Sequence, residues 1–273
     1  MTDARTPTPA PAGPSTWAAG DYPAMAHRLA PVAEQVVRLA GVTAGAGVLD
    51  VGTGTGNAAL AAARRGALVT GADPTPELLA LASERAAAEG LPVVWQEVDA
   101  ERITGRYDRV LSVFGAMYAP HARSAADAMI RCCAPGGRVV SAAWTPGGFM
   151  AATNHVFGRF LPPPPPGGQP PTRWGDPEFL RTLFPGEPTC TVERIAFAFG
   201  SPAEAAGFWI RAAGHVQVER ARLVATGRWD ALHEELATVF AEWNRQPRDG
   251  AGDGDGTGVR VEAEYLVAVV HPH

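Results

Sequence analysis

The sequence predicts an α/β fold, a doubly wound and mostly parallel sheet covered by helices on both faces. Three observations predict it. Between Val48 and Trp144, short apolar runs alternate with segments of helical period. A glycine-rich turn joins the first of those runs to the helix behind it. The run Val259 to Val270 then closes the chain as a last strand. A length of 273 residues allows one large domain or two small ones, with ample material for a core.

The elements follow in order. Residues 1–16 hold Pro, Thr and Ala without periodicity and read as a disordered tail. Met25, Leu29, Val32, Val36 and Ala40 recur at helical spacing from Tyr22 onward, and Gly41 ends the run. Val48–Val51 reads as a buried strand, followed by the turn and an Ala-rich helix from Asn57 to Arg65. Ala67–Gly71 is the second strand. Thr75 and Pro76 open a helix as N-cap and first helical residue, with Leu78, Leu81, Ala82 and Ala86 on its apolar face. Val93–Val98 and Tyr107–Phe114 are the third and fourth strands. An amphipathic stripe predicts a helix over 121–134, stopped by Pro135-Gly136-Gly137, before a fifth strand Arg138–Trp144. Residues 145–175, with prolines at 162–166, read as an irregular insertion or lid. Asp176-Pro177 caps a short helix, Thr191–Phe199 is a strand, and Ser201 to Glu204 is a capping box. A last helix spans Trp229 to Trp243, and Arg248 to Gly258 is an acidic, Gly-rich loop.

Composition narrows the chemistry. Mean hydropathy is -0.03, and no apolar run approaches the roughly 20 residues that span a bilayer. The first residues lack the apolar core of a secretory signal, and three Cys cannot build a disulfide framework. These features point to a reducing compartment, the cytoplasm. A net charge of -5 gives no electrostatic footprint for nucleic acid. All 23 basic residues are Arg. Schiff-base chemistry and a phosphate-gripping lysine are therefore excluded. The base, if one is needed, is His, Tyr or a carboxylate.

The most informative segment is Asp50-Val51-Gly52-Thr53-Gly54-Thr55-Gly56, between a strand and a helix. Glycines let the main chain turn tightly and let a ligand approach it. A dinucleotide site uses G-x-G-x-x-G, placing a pyrophosphate on the helix N-terminus. Here the third glycine comes one residue early, and Asp50 precedes the first by two. A carboxylate there suits a ligand carrying positive charge. Asp50 and Asp73 also fall at the carboxyl ends of neighbouring strands, where open α/β sheets bind ligands.

This pattern resembles the class I S-adenosylmethionine-dependent methyltransferases, over residues 17–145 and with five motifs in register. Gly71-Ala72-Asp73-Pro74 matches the segment whose acid binds the ribose hydroxyls. Asp99-Ala100 matches the acid and amide that read adenine, and Ser112 to Tyr118, with Phe114, matches the loop after the fourth strand. Cys133 to Arg138 is similar to the P-G-G turn before the fifth strand. The segment 112–120 and the start of the insertion at Trp144 look like the bacterial small-molecule branch related to ubiquinone- and menaquinone-type enzymes. The link from Asp99 to the fourth strand is shorter than is usual there, and His121 stands where many relatives carry an acid. The resemblance implies a Rossmann-like sheet of seven strands with an antiparallel C-terminal strand, and S-adenosylmethionine as cofactor. It divides a single domain, 17–273, into a cofactor half (17–145) and a substrate-covering half (146–273). It implies that Tyr22, Asp50, Gly52, Thr53, Gly54, Gly56, Asp73, Pro74, Asp99, Ala100 and Phe114 hold the donor. Tyr22 has simple packing as its alternative, and the acids have turn formation or helix capping.

The expected reaction carries a methyl group to oxygen or nitrogen of a small molecule that is apolar or aromatic in part. The alternatives are methylation of carbon, a protein that binds the donor without methylating, and an NAD(P)-dependent oxidoreductase. His121, just after the fourth strand, is the candidate base; its alternative is a helix-terminal residue with no chemical role. Trp17, His27, Tyr118, Trp144 and His155 are the candidate acceptor contacts, although aromatic side chains under a lid also serve as core. His215, His233, His271 and His273 read as surface residues. Cys132-Cys133 lacks metal-ligand spacing, and Asp249 to Gly256 lacks the bidentate Glu of a calcium loop, so no metal is expected.

Overall fold

The computed structural model describes residues 16–163, 169–245 and 258–272. The expected tail, the centre of the proline run and the acidic loop fall largely outside these residues. Among the described residues, seven strands form one sheet in the order β3-β2-β1-β4-β5-β7-β6. They are β1 (Gly47–Val51), β2 (Leu68–Asp73), β3 (Val93–Glu97), β4 (Tyr107–Val113), β5 (Cys133–Trp144), β6 (Thr189–Phe199) and β7 (Val259–Val270). The first five are parallel, and β7 runs antiparallel to both β5 and β6. The strand order reverses between β1 and β4, so a crevice opens at their carboxyl ends.

Helix α1 (Tyr22–Leu39) begins at Asp21, whose side chain accepts from the Ala24 N–H. It ends as its glycine predicts. Gly41 takes φ +63, and the Gly41 and Val42 amides donate back to Arg38 and Val37. That is a Schellman termination, open to glycine because it has no Cβ. Helices α2 (Asn57–Ala63), α3 (Pro76–Ala88) and α4 (Ala122–Cys132) are the crossovers. Thr75 sits at the N-cap of α3 without a side-chain cap bond; its own N–H donates to Asp73. Leu79, rather than Leu81, is fully buried there.

Two expectations are corrected. Helix α4 stops at Cys132, and the strand already starts at Cys133, because Cys133 pairs with Tyr107 before an irregularity carries the chain past Pro135-Gly136-Gly137. The described residues of 145–175 are largely regular. That stretch holds α5 (Gly148–Phe160) and a 3-10 turn over Pro171–Gly175. Phe149, Thr153, Val156, Phe157 and Phe160 are its buried face, a helical period flanked and obscured by Gly and Pro.

Beyond it lie α6 (Pro177–Leu183), α7 (Pro202–Ala212) and two short helices that periodicity did not show, α8 (Gly214–Val218) and α9 (Arg220–Ala225). The last is α10 (Trp229–Glu242). The capping box of α7 forms with a shift. Ser201 accepts from the Glu204 N–H, while Glu204 accepts from Gly200. No described helix is long and apolar enough to cross a membrane.

Candidate donor crevice and acceptor chamber

The turn after β1 is built from three left-handed residues, Gly52, Gly54 and Gly56, at φ +66, +53 and +87. Side chains would strain all three. Space is restricted as well. A Cβ on Gly52 would lie 2.6 Å from the Gly115 Cα, and one on Gly54 would lie 3.1 Å from the Tyr22 ring.

Two buried carboxylates hold this turn. Asp50 accepts on one oxygen from the Thr53 hydroxyl at 2.6 Å and from the Ala59 N–H at 2.9 Å. Asp73 accepts from the Gly54 N–H at 2.8 Å and the Thr75 N–H at 2.9 Å. Burial pushes the Asp50 carboxyl up from 3.8 to about 6, against these hydrogen bonds, and raises Asp73 too. Both acids are thus held where a cation would stabilise their charged forms.

The sign of the Asp50 shift gives a prediction. A folded-state value above the unfolded one means that the folded protein binds the proton more tightly. The cost of the charged form therefore appears as pH rises from 3.8 through about 6, and amounts to about 3 kcal/mol above that window. Both donors to Asp50 meet the same oxygen, so an asparagine oxygen can accept both. Asp50→Asn is expected to raise the melting temperature at pH 8 and to leave it nearly unchanged at pH 4. Thermal denaturation across pH checks this; a stability loss at pH 8 would contradict it.

The loop after β4 supplies the facing wall. Phe114 has φ +55, the single positive value at a non-glycine among the described residues. Such strain persists when packing fixes it. Here the Phe114 ring stacks on Trp144 at 3.9 Å and 15°, with Tyr265 edge-on to both. Tyr265 is itself anchored by donating to Gln35 at 2.6 Å. Trp17 meets Tyr118 edge-on at 4.5 Å and Tyr22 at 6.1 Å.

These aromatic rings separate two kinds of space. A crevice of about 110 Å3 lies against Gly52, Gly54, Asp73, Pro74, Leu78, Asp99, Ala100 and Phe114. A narrow polar recess continues inward past Asp50, Thr53, Thr55 and Asn57. On the other side opens a chamber of about 900 Å3, walled by Trp17, Tyr118, Trp144, Phe157 and the edge of the proline run. An inner apolar pocket of about 110 Å3 connects the two in composition. It shares Trp17, Tyr22, Phe114 and Tyr118 with the crevice, and Trp144, Asn154, Phe157 and His215 with the chamber. Tyr118 is 41% exposed, yet the surrounding protein still pushes its hydroxyl up to about 12.

The structure brings most of the expected residues to these spaces. Tyr22, Gly52, Gly54, Asp73, Pro74, Asp99, Ala100 and Phe114 line the crevice, with Asp50 and Thr53 in the recess. Gly56 sets the turn from the far side, facing Trp95. Asp99 spends its oxygens on the Glu101 N–H and the Arg102 side chain, beside the crevice. Trp17, Tyr118, Trp144 and His155 line the chamber.

Three histidines depart from expectation. His27 is exposed and lines none of these spaces, because Ala26 and Leu29 take the inward face of α1. His121 caps α4 outside them. Its side chain is 75% exposed and its Nδ1 lies 3.1 Å from both Glu101 oxygens. Pro120 lines the crevice, and the chain turns outward immediately after it. His215 is exposed, as expected, and also lines the chamber and the inner pocket. His233 is half-buried against Trp229. The periodicity signal could not find His215 or Asn154, since the first sits on a five-residue helix and the second in the misread insertion.

A glycine cradle, a buried acid at the end of each of β1 and β2, and an aromatic wall make a crevice whose chemistry suits a nucleoside with a cationic extension. Residues 48–137 match the family described as methyltransferase domain. An uncharacterized protein of Mycobacterium tuberculosis (strain ATCC 25618 / H37Rv) is 40% identical over 188 residues, 66% of this chain and 69% of its own. A demethylmenaquinone methyltransferase of Thermus thermophilus is 38% identical over 123 residues, 42% of this chain and 56% of its own. The crystal structure of a putative methyltransferase from Bacillus halodurans shares the fold, with TM-score 0.56 at 17% identity, covering 88% of this chain and 99% of that one. Residues 48–137 thus form a methyltransferase domain of the S-adenosylmethionine-dependent kind. Its methyl donor is S-adenosylmethionine.

Proposed function

We propose that the protein transfers the methyl group to an oxygen or nitrogen of a small, partly aromatic acceptor held in the chamber. The observation that carries this reading is the shared aromatic wall. Trp17, Tyr22, Phe114 and Tyr118 line both the donor crevice and the inner apolar pocket, and Trp17 and Tyr118 line the chamber as well. Among the described residues no Arg lines that chamber, and the one carboxylate there, Glu219, is paired with Arg222. A polyanionic acceptor is therefore poorly matched, and a neutral ring system is well matched. The likeness to a demethylmenaquinone methyltransferase adds quinone-type rings to that class.

In this reading Asp73 accepts the ribose hydroxyls, for which its carboxylate keeps free lone pairs. Asp99 and Ala100 meet the adenine edge, with Leu78 and Pro74 against the ring. Asp50, the glycine turn and Tyr22 hold the methionine end, where the acid complements positive charge. Bound S-adenosylmethionine supplies a methyl group already activated on a sulfonium. The protein's own part is alignment and exclusion of water. Alignment of this kind supplies roughly 7–11 kcal/mol. Trp17, Tyr118, Phe114 and Trp144 form the dry passage between the two sites.

The test is transfer of labelled methyl from S-adenosylmethionine to a panel of phenols, aromatic amines and reduced quinones. Label is expected in an organic-extractable product with the mass of one added methyl on O or N. Label on carbon, or none in any ring acceptor, would contradict the reading.

A further inference from the structure

His215 is a side chain that the donor site leaves unused. It is the second residue of the short α8, which follows α7, and it lines both the chamber and the inner pocket. The Phe157 ring holds it edge-on, with centroids 5.4 Å apart and planes at 89°. His215 keeps much of its surface exposed, neither ring nitrogen bonds to any described residue, and the protein packed around the ring lowers its pKa. The imidazole is therefore neutral near pH 7 and keeps one acceptor lone pair.

The other titratable groups near the passage are committed elsewhere. Asp50 and Asp73 brace the glycine turn. The protein around them raises the Tyr22 and Tyr118 hydroxyls, so both stay protonated and neither supplies a phenolate base. His155 lines the chamber but not the inner pocket that shares its wall with the donor crevice.

We propose that His215 accepts the hydrogen of the acceptor's nucleophilic hydroxyl or amine, and so selects acceptors that carry one. This rests on the chamber being the acceptor site. In the transfer, a lone pair on the acceptor oxygen or nitrogen forms the new bond to the methyl carbon. The carbon–sulfur pair leaves with the sulfur, and the hydroxyl or amine proton passes to the free ring nitrogen of His215. The methylated oxygen of the product no longer offers that hydrogen, so the same contact favours acceptor over product.

The test uses naphthol and its methyl ether, titrated into the full-length protein loaded with S-adenosylhomocysteine. Wild type is expected to bind naphthol roughly 3- to 10-fold more tightly than the ether, the range of one ordinary hydrogen bond. His215→Phe should bring the ratio to near one, with S-adenosylhomocysteine affinity unchanged. His215→Gln, whose amide oxygen still accepts, should keep part of the preference. An undiminished preference in His215→Phe overturns the proposal, as does its loss in His155→Phe instead. If wild type binds neither compound, the chamber is not the acceptor site, and both readings fall together.

Discussion

Replacing Asp73 by alanine is expected to weaken S-adenosylhomocysteine binding by about 100-fold or more, the effect of losing hydrogen bonds to a charged acceptor. The side chain does two jobs at once. Its oxygens accept from the Gly54 and Thr75 main chain, which fixes the glycine turn and the start of α3. The remaining lone pairs face the crevice, where the ribose is expected. Alanine leaves both main-chain N–H groups without that partner in a buried setting, at a cost of roughly 1–3 kcal/mol each. Titration calorimetry reads the first effect and denaturant unfolding the second. Asp73→Asn separates them. It retains one accepting oxygen, so it should recover part of the stability and less of the affinity. A folded Asp73→Ala protein with unchanged affinity would remove Asp73 from the ribose site.

Gly115→Ala should have a large structural effect for a single added methyl group. The residue has an ordinary negative φ, so backbone strain is not the reason. A Cβ there would lie 2.6 Å from the main-chain oxygens of both Val51 and Gly52, and 2.7 Å from the Gly52 Cα. Neither neighbour is a flexible side chain. The loop after β4 and the glycine turn after β1 touch backbone to backbone, and this contact forms the floor of the donor crevice. Overpacking of this kind costs roughly 1–3 kcal/mol or more. The displaced turn should also lose donor affinity. Gly158→Ala is the contrasting case, because nothing lies within 4 Å of its Cβ and the residue is helical. It should stabilise by about 0.5–1 kcal/mol. Equal melting temperatures for the two variants would refute the close approach.

The donor half was readable because local chemistry dictates it. Gly52, Gly54 and Gly56 each need a left-handed backbone, and Asp50 and Asp73 end neighbouring strands. Such signals are confined to a few consecutive residues. The acceptor half is different. Helix α5 was hidden because its apolar face is bounded by glycines and prolines that mimic a loop. His215 reaches the chamber through the stacking of α8 beside α5, a long-range arrangement that no spacing encodes. His121 shows the converse error. Its sequence position beside Pro120 is correct for the crevice, but the start of α4 turns the ring to Glu101 and solvent. Strand endings are set by neighbours, whereas helix rotation is set by the whole core.

In the proposed reaction the methyl group crosses the aromatic wall into the chamber. Ala151 lines that chamber and neither the crevice nor the recess. Transfer of labelled methyl from S-adenosylmethionine to a ring phenol, by wild type and by Ala151→Trp, tests this. The variant should bind S-adenosylhomocysteine like wild type and transfer much more slowly, because the indole takes up acceptor space. Transfer at the wild-type rate in Ala151→Trp would place the acceptor elsewhere.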